Sequence, residues 1–411
     1  MKLIADLHIH SRYSMATSKL GTPEYLDLWA RKKGISLIGT GDFTHPAWRE
    51  ELKEKLVPAE DGFYRLREEY VLEEAKTLPQ MAPRFVITGE ISSIYKKNGK
   101  CRKVHNVLLL PGLEAADKIA GKLEQIGNIH SDGRPILGLD CHDLLEIMLE
   151  ICPSGMLVPA HIWTPHFGLF GAASGFDTME ECFEDLTPYV HAVETGLSSD
   201  PPMNWRLSAL DRLNLISNSD AHSPSKLGRE ANLLDIEVSY RGLYEAIQYG
   251  KGLEGTLEFF PEEGKYHYDG HRKCHVCLSP EEAKKYNGKC PVCGKKLTMG
   301  VDHRIMELAD RKAGFSGKNA RHFESIVPLP EVISVCVEKS VNTKTVTGEY
   351  EKMLQKLGNE FEILREIPME DIEKAGDFRV AQGIKNLRDG KVMREPGFDG
   401  EYGKIRFLED I

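Results

Sequence analysis

Side chains that can bind metal ions occur at the ends of several apolar runs in the first 250 residues. The segments that carry them are Asp6-Leu7-His8-Ile9-His10, Glu90, the runs around His105 and His161, and Ser219-Asp220-Ala221-His222. His8 and His10 are two residues apart, so on an extended chain both imidazoles point to the same side and can chelate one ion. Asp220 and His222 repeat this spacing. Imidazoles and carboxylates that converge can hold two or more divalent metals and activate water for hydrolysis.

An alternation of strand and helix patterns over residues 1 to about 250 is expected to position these groups. Thr22 suits a helix N-cap, Pro23 the first helical position and Gly34 the stop, which predicts a helix over 23–33. Later apolar runs continue the alternation at 107–110, 192–194 and 215–216. This order predicts an α/β fold with a parallel sheet closed into a barrel, where active sites collect at the C-terminal ends of the strands.

The polar groups can be distributed over two or three metal sites. Glu90 is expected just past a strand, where it is suited to bridge two cations. His105 and His161 would complete a second site, and Asp42 with His222 a third. The predicted catalytic groups are Glu90, Asp220 and His222. A single histidine of this kind is more often structural than a ligand, but six such groups at strand ends favour a metal centre. Four further polar side chains could support the ligands, face the substrate or be structural: His45, His142, His166 and Glu194.

The composition is typical of a globular protein with more than one domain. A chain of 411 residues exceeds one typical core, and its hydrophobic share of 41% and charged share of 28% are ordinary. No apolar run is long enough for a membrane span and the first residues lack a signal-peptide layout, so a cytoplasmic location is predicted. Nine cysteines are too few for a disulfide scaffold. The predicted domains are a barrel over 1–255, a cysteine module over 265–300 and a mainly helical domain over 301–411.

The net charge of −10 is unevenly distributed along the chain. Residues 1–250 contain 26 Lys and Arg against 35 Asp and Glu, a balance of −9, whereas residues 265–325 contain 13 against 7, a balance of +6. Bound divalent ions would offset the acidic ligands of the first region. The pattern is therefore compatible with a polyanionic substrate such as nucleic acid.

Two pairs of cysteines form the pattern C-x2-C-x12-C-x2-C. They are Cys274, Cys277, Cys290 and Cys293. Four thiolates at this spacing suit one tetrahedral structural Zn²⁺, and a redox role is a weak competitor because two pairs exceed what a dithiol needs. A segment of this length cannot form a core alone, so we expect the metal to fold it.

Two basic stretches are candidates for contacts with phosphate groups. Between Glu90 and His105, Asn98-Gly99 between β-compatible flanks predicts a hairpin with a type I′ turn. The basic residues of this hairpin are Lys96, Lys97, Lys100, Arg102 and Lys103. The second stretch contains Arg311, Lys312, Lys318 and Arg321 beside glycines and aromatics. Such clusters are often only solvated faces, but next to a metal centre they fit nucleic-acid binding.

The ordered set of motifs resembles the PHP (polymerase and histidinol phosphatase) superfamily over residues 1 to about 250. The residues that carry the resemblance are Asp6-Leu7-His8-Ile9-His10-Ser11, Gly39-Thr40-Gly41-Asp42, Glu90, His105, His161 and Ser219-Asp220-Ala221-His222. It implies a distorted (β/α)7 barrel with two or three divalent metals, Zn, Mn or Mg, in a phosphoesterase centre. The chain departs from the pattern where Asp42 replaces the usual histidine and where Ala16-Thr17-Ser18 offers no further ligand, and both departures concern the third metal.

The order of barrel, cysteine module and helical region resembles the endonuclease Q family over essentially the full length, including the tail at 396–403. The resemblance implies cleavage of DNA on the 5′ side of deaminated bases (uracil, hypoxanthine, xanthine) and of abasic sites. Trp163, Phe167 and Phe170 are candidates for the pocket of an exposed base. The alternatives are a small-molecule phosphatase of the histidinol-phosphate type and a non-catalytic DNA-binding or helicase-associated module. No segment identifies a partner such as a replication or repair clamp.

Overall fold

The computed structural model describes residues 1–317 and 320–407. The strands of its first part are β1 (Lys2–Asp6), β2 (Leu37–Gly39), β3 (Leu56–Pro58), β4 (Tyr64–Leu66), β5 (Arg84–Lys97), β6 (Lys100–Leu110), β7 (Ile136–Leu137), β8 (Met156–Pro159), β9 (Ala192–Glu194), β10 (Asn214–Ile216), β11 (Ala231–Asp235) and β12 (Leu253–Glu258). The helices of this part are α1 (Pro23–Lys33), α2 (Pro46–Lys55), α3 (Glu73–Lys76), α4 (Leu113–Glu124), α5 (Cys141–Ile151), α6 (Met179–Phe183), α7 (Pro201–Asn204) and α8 (Tyr240–Tyr249). Single 3₁₀ turns lie at Glu68–Tyr70, Glu184–Tyr189, Ser208–Leu210 and Pro224–Lys226.

The second part is mainly helical. Its helices are α9 (Pro280–Lys285), α10 (Val301–Leu308), α11 (Leu329–Cys336), α12 (Lys344–Leu357), α13 (Glu360–Arg365), α14 (Met369–Ala375) and α15 (Phe378–Arg388). Its strands are β13 (Asp269–His271), β14 (Val276–Leu278), β15 (His322–Ser325), β16 (Val392–Glu395) and β17 (Lys404–Phe407), with 3₁₀ turns at Pro261–Glu263 and Arg272–Cys274. Among the described residues no helix is long and apolar enough to cross a membrane.

The strands of the first part surround one apolar interior. β1, β2 and β5 pair in parallel, and β9 pairs in parallel with β10. One buried cluster draws side chains from β1, β2, β5, β6, β8, β9, β10 and β11 in turn, so these strands enclose a common core. Asn232 of β11 joins the ring by donating its amide to the backbone oxygens of Ala5 and Ser217. The predicted α/β class is thus confirmed, with a distorted barrel as its centre.

Two strands of the barrel run against the predicted parallel direction. β6, which contains the apolar run at 107–110, is antiparallel to both β5 and β8, and β11 is antiparallel to β1. The tight turn at Asn98-Gly99, with φ of +53° and +74°, forces this direction because a two-residue loop can join only antiparallel strands. The sequence analysis predicted a parallel strand here because the run at 107–110 is continuously apolar, which is typical of parallel strands that are buried on both faces.

Helix α1 forms where the sequence predicted it. Pro23 occupies its first turn and Gly34 ends it with φ of +89°, a left-handed conformation that suits glycine. The Gly34 amide donates to the carbonyl of Ala30 at 2.9 Å and closes the helix. Lys33 of α1 forms a buried ion pair with Glu360 of α13 at 2.7 Å, so the C-terminal helices pack against the barrel at this face.

The C-terminal helices α11–α15 share a hydrophobic core with β17. Two elements that precede these helices in the chain, α10 and β15, lie against the barrel. β15 extends the barrel sheet by pairing in parallel with β12, and Val301 and Ile305 of α10 pack into the core that covers β5 and β6. α10 and β15, which the sequence grouped with the helical domain, therefore contact the barrel.

Candidate metal centre

Four ligand atoms from three separate parts of the chain meet at the open end of the barrel. His8 and His10 follow β1, and Asp220 follows β10. The backbone amide of His10 donates to the carbonyl of Ala221, which fixes these two segments side by side. Together with Glu90 of β5, one ligand atom of each residue lies within 4.8 Å of every other. His10 Nε2 lies 3.1 Å from Asp220 Oδ1 and 3.3 Å from Glu90 Oε2.

A second group of ligands shares the same glutamate. Glu90 Oε1 lies 2.6 Å from His105 Nδ1 and 3.1 Å from His161 Nε2. The three side chains are buried, and one ligand atom of each lies within 4.8 Å of the other two. Glu90 and His105 lie inside long strands rather than just past their ends, because β5 and β6 continue beyond the barrel as a hairpin. Glu90 therefore faces both groups with its two oxygens, as a bridging ligand does.

The residues present fit divalent metal ions. His8 Nε2, His10 Nε2 and Asp220 Oδ1 are buried. Asp220 Oδ1 lies 3.7 Å from the first nitrogen and 3.1 Å from the second, but none of the three atoms has the geometry of a hydrogen bond. Unsatisfied buried polar atoms are costly, and convergence of three such atoms is explained when a cation bonds to them. Imidazole and carboxylate ligands suit Zn²⁺ or Mn²⁺, and two adjacent groups joined by one carboxylate match the layout of two-metal hydrolases.

Buried carboxylates orient the two histidines of the first segment. Glu194 contacts His8 Nδ1 at 3.1 Å with each oxygen, and Asp42 contacts His10 Nδ1 at 3.0 Å. Such contacts fix the ring tautomer so that the Nε2 lone pair faces a metal. Of the three roles that the sequence left open for Glu194, these contacts favour support of a ligand.

Asp42, which the sequence predicted as a metal ligand, belongs to neither group of ligand atoms. Oδ1 contacts the His10 ring, while Oδ2 accepts from the Ser11 amide, the Ser11 hydroxyl and the Ser14 hydroxyl. Both oxygens are thus engaged. We therefore expect Asp42 to hold the His10 ring in place, and its role as a metal ligand stays a prediction.

His222 also lies outside both groups. Its Nδ1 donates to the backbone oxygen of Asp220 at 2.9 Å, and its ring centroid lies 4.6 Å from that of His10. The side chain is 34% exposed at the rim of the site. Asp42 and His222, from which the sequence predicted a third metal site, thus both contact His10 but share no group of ligand atoms among the described residues, and the third site stays a prediction.

Three residues of the site have left-handed backbone conformations that non-glycine residues rarely adopt. The φ angles are +51° at Asp42, +30° at His161 and +48° at Asp220. Such conformations cost about 1–3 kcal/mol each and cluster at functional sites. The left-handed conformation at His161 brings its side chain close to Gly196. Only glycine fits there, because a Cβ at Gly196 would lie 2.4 Å from the His161 Cβ.

The electrostatics of the centre are strongly coupled. Burial alone would lower the pKa of His8 and His10, but Glu194 and Glu90 raise that of His8 well above its usual value, and Asp42, Asp220 and Glu90 raise that of His10. Burial would raise the pKa of Glu90, but the histidines around it hold that pKa well below its usual value. In the absence of cations protons would balance the carboxylates, and bound cations take over that role.

Arg134 is a residue of the centre that sequence reasoning missed. Its Nη1 lies 3.2 Å from Glu90 Oε2, and the side chain is 23% exposed at the mouth of the site. Burial lowers the pKa of Arg134, but the charges of Glu90 and Asp220 raise it by more, so the pKa lies above its usual value. It follows the loop residues Asp132 and Gly133 and belongs to no recognisable motif. In the sequence, Arg134 is a single basic residue in a loop, and nothing near it indicates a functional role.

The basic hairpin forms as predicted, but its cations differ in availability. Lys97 pairs with Asp140 at 3.1 Å and Glu184 at 2.6 Å, and buried Arg102 donates to the carbonyl of Gly175. These two are therefore engaged within the protein and do not fit the predicted contact with DNA. Lys96 and Lys100 are exposed. Lys103 lies 5.4 Å from the ring of Phe167, which lies 4.5 Å from the ring of His105.

The second basic stretch is likewise partly engaged. Arg311 forms a two-pronged ion pair with Asp211 at 2.7 and 2.5 Å, and Arg321 donates to Asn214 and to the carbonyl of Gly250. These partners occupy both guanidinium groups, which argues against their predicted role in DNA binding. Lys312 is exposed, and Lys318 lies outside the described residues.

The aromatic candidates for a base pocket separate in the same way. Trp163 and Phe170 are buried in the core, and the Trp163 indole donates to Asn204 at 2.8 Å. Neither can contact a substrate. Phe167 is half-buried beside His105 and remains next to the centre.

The cysteine module contains a separate cluster, which we call the knuckle cluster: His271, Cys274, Cys290 and Cys293. Cys277, predicted as a ligand, is not in it, and its Sγ lies 3.8 Å from the carbonyl of Pro396. His271 takes the fourth place. In the sequence, two residues separate His271 from Cys274, as in a metal-binding pair. Cys274 also forms such a pair with Cys277, so the sequence analysis chose Cys277 and overlooked His271.

Known proteins match either a part of the chain or all of it. Residues 328–391 match the family model of the MJ0043 C-terminal domain. The uncharacterized protein MJ0043 of Methanocaldococcus jannaschii is 36% identical over 253 residues, which are 60% of this chain. This match spans only 31% of the length of that relative.

Two solved structures share the fold over the whole chain. The crystal structure of the lesion-specific endonuclease PfuEndoQ from Pyrococcus furiosus has a TM-score of 0.86 and 31% identity, covering 100% of this chain and 96% of that one. A crystal structure of endonuclease Q with a 27-mer duplex substrate, which has an abasic lesion at the active site, has a TM-score of 0.85 and 31% identity, covering 100% of this chain and 98% of that one. With this identity over its full length and the same fold, the chain belongs to the endonuclease Q family of nucleases.

Proposed function

We propose that the chain is a DNA repair endonuclease that hydrolyses the phosphodiester on the 5′ side of deaminated bases (uracil, hypoxanthine, xanthine) and of abasic sites. The observation that supports hydrolysis most directly is the position of Glu90 in both ligand groups, beside three buried ligand atoms without hydrogen-bond partners. The lesion specificity is supported by a family member crystallised with an abasic duplex at its active site.

The residues of the centre would have two roles, to bind the metal ions and to orient the ligands. His8, His10 and Asp220 would hold one divalent ion, and His105 and His161 the other, with Glu90 between them. When bound, the two ions supply an activated water and neutralise charge on the scissile phosphate and on the leaving 3′ oxygen. Asp42 and Glu194 keep the rings of His10 and His8 in the ligating tautomer.

Arg134 is suited to contact the scissile phosphate directly. Its guanidinium lies at the mouth of the centre and is partly exposed, so a phosphate oxygen can reach it beside Glu90. Arginine binds phosphate through a planar fork of N–H donors and stays charged at every physiological pH. Lys103, beside Phe167 and His105, is placed to contact the adjacent phosphate.

Cations farther from the centre would hold the duplex. The exposed candidates are Lys96 and Lys100 at the hairpin tip and Lys312 in the second basic stretch. Contacts of this kind position DNA without reading its sequence and make affinity fall as salt rises. The acidic barrel would then depend on this small set of cations for binding.

Lesion recognition requires that the base leave the helix stack, which costs least at damaged or mismatched positions. Phe167 is the aromatic group of the three candidates that adjoins the centre, and its ring can stack on an exposed base or on the sugar of an abasic site. We assign it this role within the proposed mechanism.

A panel of substrates tests the proposal. The full-length protein is incubated with matched duplexes that are undamaged or contain uracil, hypoxanthine, xanthine or an abasic site, and with a phosphomonoester. We expect incision only in the damaged duplexes, directly 5′ to the lesion, leaving a 3′-hydroxyl and a 5′-phosphate. A chelator should stop the reaction, and added divalent ions should restore it.

The other outcomes separate the alternatives. Hydrolysis of the phosphomonoester with intact duplexes would assign the chain to the small-molecule phosphatases. Binding of damaged duplexes without any hydrolysis in Mn²⁺, Mg²⁺ or Zn²⁺ would leave a binding module. Equal incision of damaged and undamaged duplexes would refute the lesion specificity alone.

A further inference from the structure

The turn that carries the candidate ligand Asp220 has an unusual backbone conformation. Asp220 has φ of +48°, in the left-handed region that residues with a side chain rarely adopt. In this conformation its Oδ1 lies 3.1 Å from His10 Nε2. A residue stays in such a region only when the surrounding structure fixes it there. The groups that fix the turn therefore decide where this ligand lies.

Two backbone contacts fix the residue after Asp220. Ala221 pairs with Ile9 in a parallel bridge, and its carbonyl accepts from the His10 amide at 2.9 Å. These contacts place the turn beside the end of β1. They do not involve the carbonyl groups of Ser219 and Asp220, which flank the Asp220 Cα.

Arg229 contacts both of these carbonyl groups. Its Nη2 donates to the Ser219 oxygen at 2.8 Å and lies 3.5 Å from the Asp220 oxygen. The φ angle of Asp220 turns the peptide that contains the first oxygen, and the ψ angle turns the peptide that contains the second. Because the backbone has only these two soft angles at each residue, a guanidinium that reaches both oxygens restricts the conformation of Asp220. A charged donor also makes a stronger hydrogen bond than a neutral one.

Asp6 ties the segment of Arg229 to the same turn. Its side chain is buried, with Oδ1 accepting from the Ser219 amide at 3.0 Å and Oδ2 from the Gly228 amide at 2.9 Å. Ser219 precedes the candidate ligand and Gly228 precedes Arg229, so one carboxylate joins the two segments. Asp6 thus holds the amide of Ser219, and Arg229 holds its carbonyl.

Arg229 cannot itself be a ligand of a divalent ion. A guanidinium is a cation at every physiological pH and has hydrogen-bond donors but no acceptor. Its contacts with the turn are therefore a support, as the contacts of Asp42 and Glu194 with the histidine rings are. The support differs in kind, because it acts on the backbone of a ligand and not on its side chain.

We propose that Arg229 is a positioning residue for Asp220, and that Asp6 holds the segment of Arg229 in place for this role. Arg229 orients the Asp220 carboxylate by restricting the backbone on both sides of its Cα. The inference rests on the proposed function, in which Asp220 is a ligand of one of the two metal ions.

Manganese binding to the full-length protein tests this role. Mn²⁺ prefers oxygen ligands to thiolates, so it reports on the barrel centre and not on the knuckle cluster. The EPR signal of free Mn²⁺ measures the affinity after a chelator has emptied the barrel. We expect Arg229→Ala to lower the affinity about 10–100-fold, as loss of a group that supports a ligand does, and Arg229→Lys to lower it less. Because Arg229 is half-buried, methylguanidinium in the buffer should restore part of the affinity of Arg229→Ala.

A double-mutant cycle separates positioning from a general loss of stability. In the Asp220→Ala background, Arg229→Ala should have no further effect on Mn²⁺ affinity, because the ligand that it positions is gone. Arg212→Ala is the matched control. Arg212 donates to the carbonyls of Val190 and Thr187, which belong to neither group of ligand atoms, so its loss should leave the Mn²⁺ affinity unchanged.

Two results would overturn the assignment. One is unchanged Mn²⁺ affinity in Arg229→Ala, and a fall in duplex affinity in the same variant would then make Arg229 a contact for the DNA backbone. The other is an equal loss of Mn²⁺ affinity with and without Asp220, which would make Arg229 a general support of the barrel. Arg229→Gln, which loses the charged fork, repeats both comparisons if the alanine variant does not fold.

Metal binding does not require incision. A wild type that binds Mn²⁺ but incises no lesion would therefore refute the proposed function and leave the role of Arg229 in place.

Discussion

The barrel centre and the knuckle cluster both gather metal-binding side chains, but the chain assembles them differently. The barrel ligands come from positions between His8 and Asp220, and most of them are buried. The knuckle ligands lie between His271 and Cys293, and Cys293 is exposed. The first set meets only when the barrel closes, whereas the second meets through two short turns.

The supports of the two sites differ accordingly. In the barrel centre, buried side chains such as Asp42 and Glu194 hold the rings of the ligands. In the knuckle cluster, the ligands are set by backbone hydrogen bonds within each turn. In a site of the first kind, substitution of the side chains that hold the ligands can change the affinity and reactivity of the metal, which suits catalysis. A site of the second kind is fixed by the backbone and suits a structural metal.

The largest expected effect is the loss of Glu90, which belongs only to the barrel centre. Glu90→Gln removes the charge shared by both ligand groups, so incision should fall by more than the roughly 10³-fold that loss of one charge-stabilising donor can cost. Duplex affinity and the metal of the knuckle cluster should persist. Incision rates, gel-shift binding and metal content measure the three quantities. Exposed Glu370→Gln on α14 is the control, and near wild-type incision by Glu90→Gln would refute the two-metal proposal.

Arg134 tests whether the barrel centre handles phosphate directly. Arg134→Lys keeps the charge and loses the planar fork, whereas Arg134→Ala loses both. We expect incision to decrease about 10²–10³-fold in the alanine variant and less in the lysine variant, mainly in kcat. Single-turnover rates at saturating enzyme measure this step. Equal rates in both variants and the wild type would exclude the proposed phosphate contact.

Asp42 distinguishes a supporting group from a ligand. Asp42→Asn keeps the shape but weakens the hold on His10, which should reduce metal affinity or activity about 10–100-fold. Extra metal should restore much of the activity if Asp42 only orients His10. Titration of activity with Mn²⁺ measures this recovery. A loss as large as that of Glu90→Gln, with no recovery, would show that Asp42 is a ligand after all.

The last prediction concerns stability behind the barrel centre. Burial raises the pKa of Glu258 to about 8, and its Oε2 accepts from Thr195 and Ser217. A carboxyl that holds its proton more tightly in the folded state stabilises the fold below its unfolded pKa, and that stability is lost as pH rises toward 8. The free energy of unfolding should therefore decrease between about pH 5 and pH 8, by up to about 1.4 kcal/mol per unit.

Glu258→Gln should flatten this dependence and increase stability at pH 8 relative to the wild type. Urea denaturation at pH 5.5, 7 and 8 measures it. Glu254→Gln, an exposed position on the same strand β12, is the matched control and should leave the slope unchanged. A wild-type slope that survives in Glu258→Gln would assign the proton to another group, such as Glu230, whose pKa burial and Glu258 also raise.

The sequence alone determined the parts of this protein that depend on local patterns. The spacing of His8 and His10, the capping of α1 and the turn at Asn98-Gly99 each follow from the properties of a few neighbouring residues. The ordered motifs identified the family, and the cysteine spacing placed a metal module. Local chemistry is sufficient here because strand period, helix caps and tight turns act over fewer than about ten residues.

Only the tertiary structure decided which polar groups lie together as candidate ligands and which contact those groups from behind. Asp42 has the residue type of a ligand, but Ser11, Ser14 and His10 occupy its oxygens. Arg134 reaches Glu90 from a loop without a motif, and Cys277 is turned away from the cluster by strand register. The physical reason is the same in each case. A side chain takes its role from the atoms that surround it, and those atoms come from positions far apart in the sequence.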